Sequence, residues 1–120
     1  MFSYWLLLKA NIIISSILTK NRKKIDKVDK YTTLKSDITY TIICKLISFE
    51  DVLISSCLNN NPSLIAYYVY ELASLFHKYY EKEEIINEDT QYTNERLNLL
   101  LAIKIILNNS LNLIGIIPIE

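Results

Sequence analysis

The sequence predicts an all-α protein, a single bundle of about five helices, on three observations. Apolar residues return every three or four positions along most of the 120-residue chain, and strict alternation of apolar and polar residues is almost absent. Only one Gly and two Pro occur, too few for the turns of a many-stranded sheet. Hydrophobic residues make up 51% of the chain and charged residues 22%. This balance excludes a disordered polar tail and fits one domain over residues 1–120.

The first helix is predicted from about Ser3 to Thr19, and it is apolar enough to be mistaken for a membrane span. Lys9 and Asn11 lie near its middle and interrupt the roughly 20 apolar residues that a span needs, so we expect no membrane contact. No positive charge precedes the apolar stretch, as a secretory signal would require. Apolar side chains left uncovered on this helix would instead suit a protein partner or a membrane; they are Trp5, Leu6, Leu7, Ile12 and Ile13.

A basic connector, Lys20–Leu34, follows the first helix. Over residues 1–60 the chain has nine Lys and Arg against five Asp and Glu, and over residues 61–120 it has four against eight. The formal net charge is zero, so the molecule is an electrical dipole. The connector could approach a phosphate backbone, or it could be an ordinary solvated loop. Its basic residues are Lys20, Arg22, Lys23, Lys24, Lys27 and Lys30.

The second helix is predicted to begin near Ser36 and Asp37, both able to cap exposed amide groups, and the third to run from Phe49 to Leu58. Five residues of the second helix are expected to point towards the core: Ile38, Ile42, Ile43, Leu46 and Ile47. Cys44 and Cys57 are too few for a zinc site, so no metal is implied. Their apolar surroundings predict buried, reduced thiols and a reducing compartment, the cytoplasm or alternatively the interior of an organelle.

The fourth helix is the longest by prediction and starts after Asn59–Asn61, with Pro62 in its first turn. Its apolar stripe consists of Ile65, Tyr68, Val69, Leu72, Leu75, Phe76 and Tyr79. An acidic connector, Glu83–Asn94, then leads to a last helix from Glu95 to about Asn112. That helix is apolar nearly all round, which predicts the central and most buried position. Gly115 is placed to end it in a left-handed conformation, and Pro118 prevents a restart.

Two segments resemble the anticodon-binding domain of arginyl-tRNA synthetases, the DALR type. One is YELASLFHKYYEK, Tyr70–Lys82, and the other is ERLNLLLAIKIILNNSLNLIGIIPIE, Glu95–Glu120. They occur in the family's order and separation and cover residues 61–120 well. Residues 1–60 are less similar: Ala10 and the run Ser16–Leu18 match the family's first helix. Where the family has polar and aromatic residues that face the tRNA, this chain has Leu6, Leu8, Lys9, Asn11 and Ile13.

The resemblance implies a helical domain that binds the anticodon loop of arginine tRNA and needs no cofactor. Unpaired bases of such a loop would stack on tyrosine rings and meet amide groups, while basic residues meet phosphates. The residues expected to contact tRNA are Lys9, Asn11, Arg22, Lys23, Lys24, Tyr67, Tyr70, Tyr79, Tyr80, Arg96, Asn108 and Asn109. Tyr68, Tyr79 and Tyr80 could equally pack between helices.

Arg96 has a second interpretation. As a cation at a predicted helix start it opposes the helix dipole, so it needs a phosphate or an acidic partner. Glu71, Glu83, Glu84 or Glu88 could be that partner, and we favour the ion pair. His77 is the only histidine and is expected to contact RNA or a neighbouring helix, or simply to lie at the surface.

No catalytic residues are predicted. The chain has neither the histidine-glycine nor the lysine-serine signature of a synthetase catalytic domain, so the sequence is not expected to be an enzyme by itself. The altered first helix leaves an alternative to tRNA binding. The domain could have lost its RNA and serve as a structural subunit of a larger assembly, where a catalytic domain or another protein partner covers that helix. A helper role for a tRNA modification or transport enzyme is a third possibility.

Overall fold

The computed structural model describes residues 4–115 and confirms an all-α fold. No strand occurs within that range. The predicted start at Ser3 and the predicted stop at Pro118 lie outside the described residues. Five α-helices and one short 3-10 turn follow in the order α1 (Tyr4–Lys20), the turn (Arg22–Lys24), α2 (Asp37–Ile47), α3 (Phe49–Leu58), α4 (Ser63–Lys82) and α5 (Thr90–Leu113).

The ends of the helices have local causes in the sequence. The Ser36 hydroxyl accepts a hydrogen bond from the Thr39 N–H and so caps α2. Asn60 adopts a positive φ of 48° after α3, a conformation that Asn tolerates better than most residues. Pro62 has a φ of −65° immediately before α4. Gly115 has a φ of 86° after α5, as the predicted left-handed stop requires.

Helix α5 begins five residues before the predicted start at Glu95, and with 24 residues it is longer than α4 with 20, so the prediction that α4 is the longest helix was wrong. The Asp89 carboxylate accepts hydrogen bonds from the N–H groups of Gln91 and Tyr92 and caps the helix there. The acidic connector is therefore shorter than predicted and comprises Glu83–Asp89. The polar residues Thr90–Asn94 carry no apolar stripe of their own, which is why periodicity assigned them to the connector.

Helix α4 is the element on which the bundle is built. All four of the other helices pack against it. Its predicted stripe is buried, except that Leu75 is half-buried. Helix α2 runs antiparallel to α4, because Ser36 contacts Glu83 while the Lys45 ammonium group lies 3.2 Å from the Glu71 carboxylate. Helix α5 contributes more buried residues than α4, but the predicted central position belongs to α4.

Three predictions about burial need correction. Ile47 is exposed because it lies on the outer side of α2, away from α4, at the turn into α3. Cys44 and Cys57 are free thiols as expected, but both are exposed on the outer faces of their helices. Their burial was the argument for a reducing compartment, which therefore loses that support.

The apolar patch predicted on α1 is smaller than its sequence indicates. Leu7 is fully buried, and Leu6 and Ile13 are partly buried against the core. Trp5 is 70% exposed and Ile12 is also exposed, so these two remain uncovered. No helix within the described range is long and apolar enough to cross a membrane.

Candidate nucleic-acid interface

The buried carboxylate of Glu95 holds the basic connector against α5. Its Oε1 accepts hydrogen bonds from the N–H groups of Thr32 and Thr33, both at 2.9 Å. Its Oε2 accepts from the Thr32 hydroxyl at 3.3 Å and from the Gln91 amide at 2.6 Å. Four donors on one carboxylate satisfy its charge without a cation, which is the condition for burying it.

These hydrogen bonds determine the ionisation of Glu95. Burial by itself would raise the pKa of the carboxyl group, but hydrogen bonds from Thr33, Gln91 and Thr32 favour the ionised form and together leave the pKa lowered. Glu95 is therefore a carboxylate at neutral pH, and its charge stabilises the connector only in that form.

Arg96 lies beside Glu95 and also hydrogen-bonds the basic connector. Its guanidinium group donates to the hydroxyl and the carbonyl oxygen of Thr33, at 2.9 and 3.0 Å, and lies 3.5 Å from the Glu83 carboxylate. The guanidinium carbon stands 3.4 Å from the centre of the Tyr92 ring, a cation–π contact. Arg96 is only 3% exposed. The favoured interpretation as a structural ion pair is confirmed, with Glu83 as the acidic partner.

Two asparagines of α5 fix the connector at a second point. The Asn94 side-chain oxygen accepts from the Asp26 N–H at 2.7 Å, and the Asn98 amide donates to the Asp26 carbonyl oxygen at 2.9 Å. The 3-10 turn just before Asp26 packs on α5 as well. Arg22, Lys23 and Lys24 of that turn are exposed. The basic connector is thus an ordered segment that presents six cations to solvent, because Lys20, Lys27 and Lys30 are exposed as well.

The sequence-predicted contact residues fall into three groups. Asn11, Tyr79 and Arg96 are buried, so in this conformation they offer RNA no surface and belong to the core. Tyr70 and Asn108 are half-buried. The remaining seven are exposed, and for them contact with tRNA stays a prediction: Lys9, Arg22, Lys23, Lys24, Tyr67, Tyr80 and Asn109.

The tyrosines of α4 divide between core and surface. Burial raises the pKa of Tyr79 above its ordinary range, with Arg96 nearby opposing the rise. Burial also raises the pKa of Tyr68 to about 12, partly offset by a hydrogen bond from Ser48, and its hydroxyl donates to the Lys45 carbonyl oxygen. By contrast Tyr67 is 65% exposed, and Tyr80 is 46% exposed with its ring stacked on Phe76 at 5.8 Å. Tyr67 and Tyr80 are therefore the exposed tyrosine rings of α4, while Tyr70 is half-buried.

His77 makes a contact within the bundle. Its Nε2 lies 3.2 Å from the Leu6 carbonyl oxygen of α1, and this distance is a hydrogen bond when Nε2 carries the proton. His77 therefore links α4 to α1, as one of its predicted roles required. Among the described residues, no group of three or more His, Cys, Asp and Glu is arranged to hold a metal ion.

An open cleft of about 1190 Å³ separates the two connectors, and we call it the charged cleft. Lys23, Lys24, Asp26 and Lys27 of the basic connector line one side. The acidic connector and the first turns of α5 line the other with Glu84, Asn87, Glu88, Asp89, Thr90, Gln91, Thr93 and Asn94. The cleft lies next to the exposed cations and was not predicted from the sequence.

Sequence reasoning also missed the polar residues that order the basic connector. Gln91, Asn94, Glu95 and Asn98 recur at spacings of three and four, so they share one face of a helix. That polar face was a usable signal. It was lost because the predicted helix began only at Glu95.

Comparison with known proteins tests what kind of domain this is. The family model described as "DALR anticodon binding domain" matches residues 7–120. The chain belongs to the DALR anticodon-binding domain family. The match begins within α1. It therefore includes most of residues 1–60, the half of the chain in which few of the family's characteristic residues can be recognised.

Similar proteins are arginine-tRNA ligases. The DALR domain is 33% identical to the ligase of Halothermothrix orenii over 101 residues, which cover 84% of this chain and 18% of that protein. It is 36% identical to the ligase of Vesicomyosocius okutanii over 107 residues, 89% of this chain and 18% of that protein. With the ligase of Geotalea daltonii the identity is 45% over 75 residues, 62% of this chain and 13% of that protein. The DALR domain thus spans less than a fifth of these relatives.

Proposed function

We propose that this chain is a single tRNA-binding domain that contacts the anticodon stem-loop of arginine tRNA. The observation that carries the proposal is the DALR match over residues 7–120. Similarity to arginine-tRNA ligases supplies the choice of tRNA. In this proposal the DALR domain supplies RNA binding and no catalysis, and a catalytic domain of an arginine-tRNA ligase is its functional partner. We place that function in the cytoplasm, or in the interior of an organelle.

The surface offers the groups that such binding needs. Arg22, Lys23 and Lys24 are exposed on an ordered turn, where they can meet phosphates without first paying to order the segment. Tyr67 and Tyr80 offer rings on which unpaired bases can stack, and Asn109 offers an exposed amide. Lys9 adds a cation on the outer face of α1.

The exposed rings make the proposal specific to single-stranded RNA. A stacked base contributes on the order of 1–3 kcal/mol, so two stacked bases and a few phosphate contacts suffice for a useful affinity. A duplex would hide its base faces from Tyr67 and Tyr80, whereas the anticodon loop exposes them.

A titration of the chain with arginine tRNA and a control tRNA, over a series of salt concentrations, tests the proposal. We expect tighter binding to arginine tRNA and an affinity that falls steeply with salt. The variant Lys23→Gln/Lys24→Gln should weaken binding and flatten the salt dependence. Lys78→Gln, an exposed lysine on α4, is the matched control and should change neither. Absence of binding at low salt would eliminate the proposal.

One observation favours the structural-subunit alternative. Trp5 and Ile12 are uncovered on α1, on the helix that departs most from the family's RNA-facing residues. In that case the chain binds no tRNA, and Trp5 becomes shielded when a protein partner is present. Shielding of Trp5 from iodide by a catalytic domain is compatible with both functions, so binding of arginine tRNA decides between them. Its absence together with such shielding supports the structural subunit, and its presence contradicts it.

A further inference from the structure

Both walls of the charged cleft are fixed to the same helix. On the basic side, Asn94 and Asn98 of α5 hold Asp26 by its backbone. On the acidic side, the Thr93 hydroxyl accepts from the Asn87 N–H at 3.0 Å and donates to the Asn87 carbonyl oxygen at 3.1 Å. The Tyr92 hydroxyl donates to the Glu84 carbonyl oxygen. The cleft is therefore a preformed gap between two anchored segments.

The charges across this gap are unpaired. Lys23, Lys24 and Lys27 form no ion pair with any residue in the described part of the chain, and neither do Glu84 and Glu88. The third acidic residue, Asp89, is occupied because it caps α5. On the basic side the Asp26 carboxylate accepts from the Lys27 N–H. Opposite charges on free loops would approach each other, but here the anchors keep them apart.

Several polar side chains between the two walls are already engaged within the protein. Gln91 donates to Glu95, Asn94 binds Asp26 and Thr93 binds Asn87. The charged groups left to bind a ligand are the lysine ammonium groups on one side and the carboxylates of Glu84 and Glu88 on the other, and the exposed Thr90 hydroxyl lines the cleft as well. A complementary ligand carries negative charge along one edge and hydrogen-bond donors along the opposite edge.

The size of the cleft favours a segment of a polymer. Pockets for small molecules measure roughly 300–1,000 Å³, and the charged cleft, at about 1190 Å³, is somewhat larger and partly open to solvent. Unpaired RNA has the required pattern, because its phosphates are anionic and its base edges carry amino and imino donors. Carboxylates accept from such donors, and guanine alone offers an imino and an amino group side by side to both oxygens of one carboxylate.

We propose that the charged cleft binds a short stretch of unpaired RNA, with phosphates against Lys23, Lys24 and Lys27 and an amino-bearing base, guanine above all, against Glu84 and Glu88. This proposal rests on the proposed RNA-binding function and adds a base preference to it. The acidic connector also repels phosphates that enter without a suitable base, so it gives selectivity at some cost in affinity.

The test measures binding of the full chain to short fluorescent single-stranded RNAs of equal length. One probe is uridine throughout, and the others carry a single central guanine, cytosine or adenine. We expect the guanine probe to bind roughly fivefold to a hundredfold more tightly than the uridine probe, the range for one well-placed base contact. Cytosine and adenine should fall between them, since each offers one amino group.

Replacement of the acidic wall separates base recognition from simple charge repulsion. In Glu84→Gln/Glu88→Gln the uridine probe should bind more tightly than to the original chain, while the preference for guanine falls below about twofold. If both probes gain equally and the preference persists, the carboxylates only repel phosphates and the assignment is wrong. Glu81→Gln, an exposed carboxylate outside the cleft, is the matched control and should leave the preference intact.

Replacement of the basic wall tests the phosphate contacts. Lys23→Gln/Lys24→Gln/Lys27→Gln should weaken all probes by a similar factor and reduce the slope of log affinity against log salt by about 1–2. Equal binding of the uridine and guanine probes, combined with this lysine effect, would show a plain phosphate-binding surface and overturn the base-reading role. Unchanged affinity in the lysine variant would overturn the site.

The same measurements keep this proposal distinct from the proposed function. Binding of arginine tRNA without any guanine preference leaves tRNA recognition standing and removes the cleft from it. Guanine-selective binding of the short probes without a preference for arginine tRNA leaves the cleft standing as an RNA site and removes the anticodon assignment.

Discussion

At the scale of single residues, buried polar groups determine how the surface is arranged. Glu95 has no exposed area, yet its carboxylate fixes the backbone of Thr32 and Thr33. Arg96 reaches the same Thr33 and connects it to Glu83 at the end of α4. The side chains that order the basic connector are therefore core residues, and their substitution should act first on stability.

The pH dependence of stability tests the role of Glu95. Its pKa in the folded chain lies below the value of about 4.5 for an unperturbed glutamate, so its ionised form stabilises the fold fully above that pH. The contribution is lost as the pH falls through the lower, folded-state pKa. We expect Glu95→Gln to lower the free energy of unfolding by about 1–3 kcal/mol at neutral pH, and the deficit to shrink in acid. Urea titrations over a pH series measure both effects, and a deficit that does not change with pH would contradict this role.

Two tyrosines of α4 should respond in opposite ways to loss of a hydroxyl group. The Tyr79 hydroxyl is buried with no hydrogen-bond partner among the described residues, so Tyr79→Phe should leave stability unchanged or raise it by about 1 kcal/mol. The Tyr68 hydroxyl donates to the Lys45 carbonyl oxygen, so Tyr68→Phe should lower stability by about 1 kcal/mol. Thermal unfolding of both variants provides the comparison. Equal effects would show that hydrogen bonding does not distinguish the two sites.

At the scale of elements, the order of the basic connector cannot be predicted from its own sequence. Composition describes a lysine-rich stretch that is typical of a solvated loop. Its order comes from residues more than sixty positions away, Asn94, Glu95, Arg96 and Asn98, which bind its backbone. Such long-range hydrogen bonds leave no periodic trace in either segment.

Amide hydrogen exchange should reveal this anchoring. The N–H groups of Thr32 and Thr33 donate to Glu95, so they should exchange far more slowly than the N–H of Tyr31, which has no partner within the described range. In Glu95→Gln the protection of both threonines should fall, while that of the Asp26 N–H, held by Asn94, should persist. Exchange followed by NMR resolves the individual residues. Equal exchange at Tyr31 and Thr32 would mean that the connector is not anchored in solution.

The elements also show what a sequence can predict here. The apolar stripe of α4 and the capping residues Ser36 and Pro62 predicted helix positions to within about a residue, because both signals are local. The start of α5 was missed because its first turn is polar and its cap, Asp89, reads as part of an acidic loop. Exposure was harder to predict than helicity: Cys44 and Ile47 lie on a helix with apolar residues on several sides, and only packing decides which side is covered.

For the candidate site, the basic turn and the exposed rings of Tyr67 and Tyr80 could be identified from residue type alone. The burial of Arg96 and Tyr79 could not be predicted from residue type. Both belong to helices whose rotation about their axes is set by contacts with neighbours, and a residue type that suits RNA also suits a buried hydrogen-bond network. The charged cleft depends on the spacing between two connectors, which neither segment encodes by itself.

At the scale of the whole molecule, α4 joins the α1–α5 pair to the α2–α3 pair. The core cluster draws on α1, α2, α4 and α5 together, and it extends along α4 from Tyr68 to Tyr79. The described residues measure 46 × 25 × 24 Å. Because all four other helices pack on α4, removal of any pair of them would expose part of its apolar stripe. We therefore expect all helices to unfold together, as small domains with one core usually do.

Phe76→Ala tests this cooperativity. Phe76 is fully buried in the α4 stripe, so its truncation should lower the free energy of unfolding by about 3–5 kcal/mol. For a chain of this size that corresponds to a fall of roughly 2 M in the urea midpoint. Because every other helix packs on α4, the amide NMR signals of α1 and α3 should disappear at the same urea concentration in the variant, as in the original chain. Loss of α1 signals at a lower urea concentration than those of α3 would instead mean that α1 and α5 unfold separately from the α2–α3 pair. In that case the basic connector would be stabilised by only part of the bundle, and under the proposed function tRNA should protect α1 and α5 from urea without protecting α3.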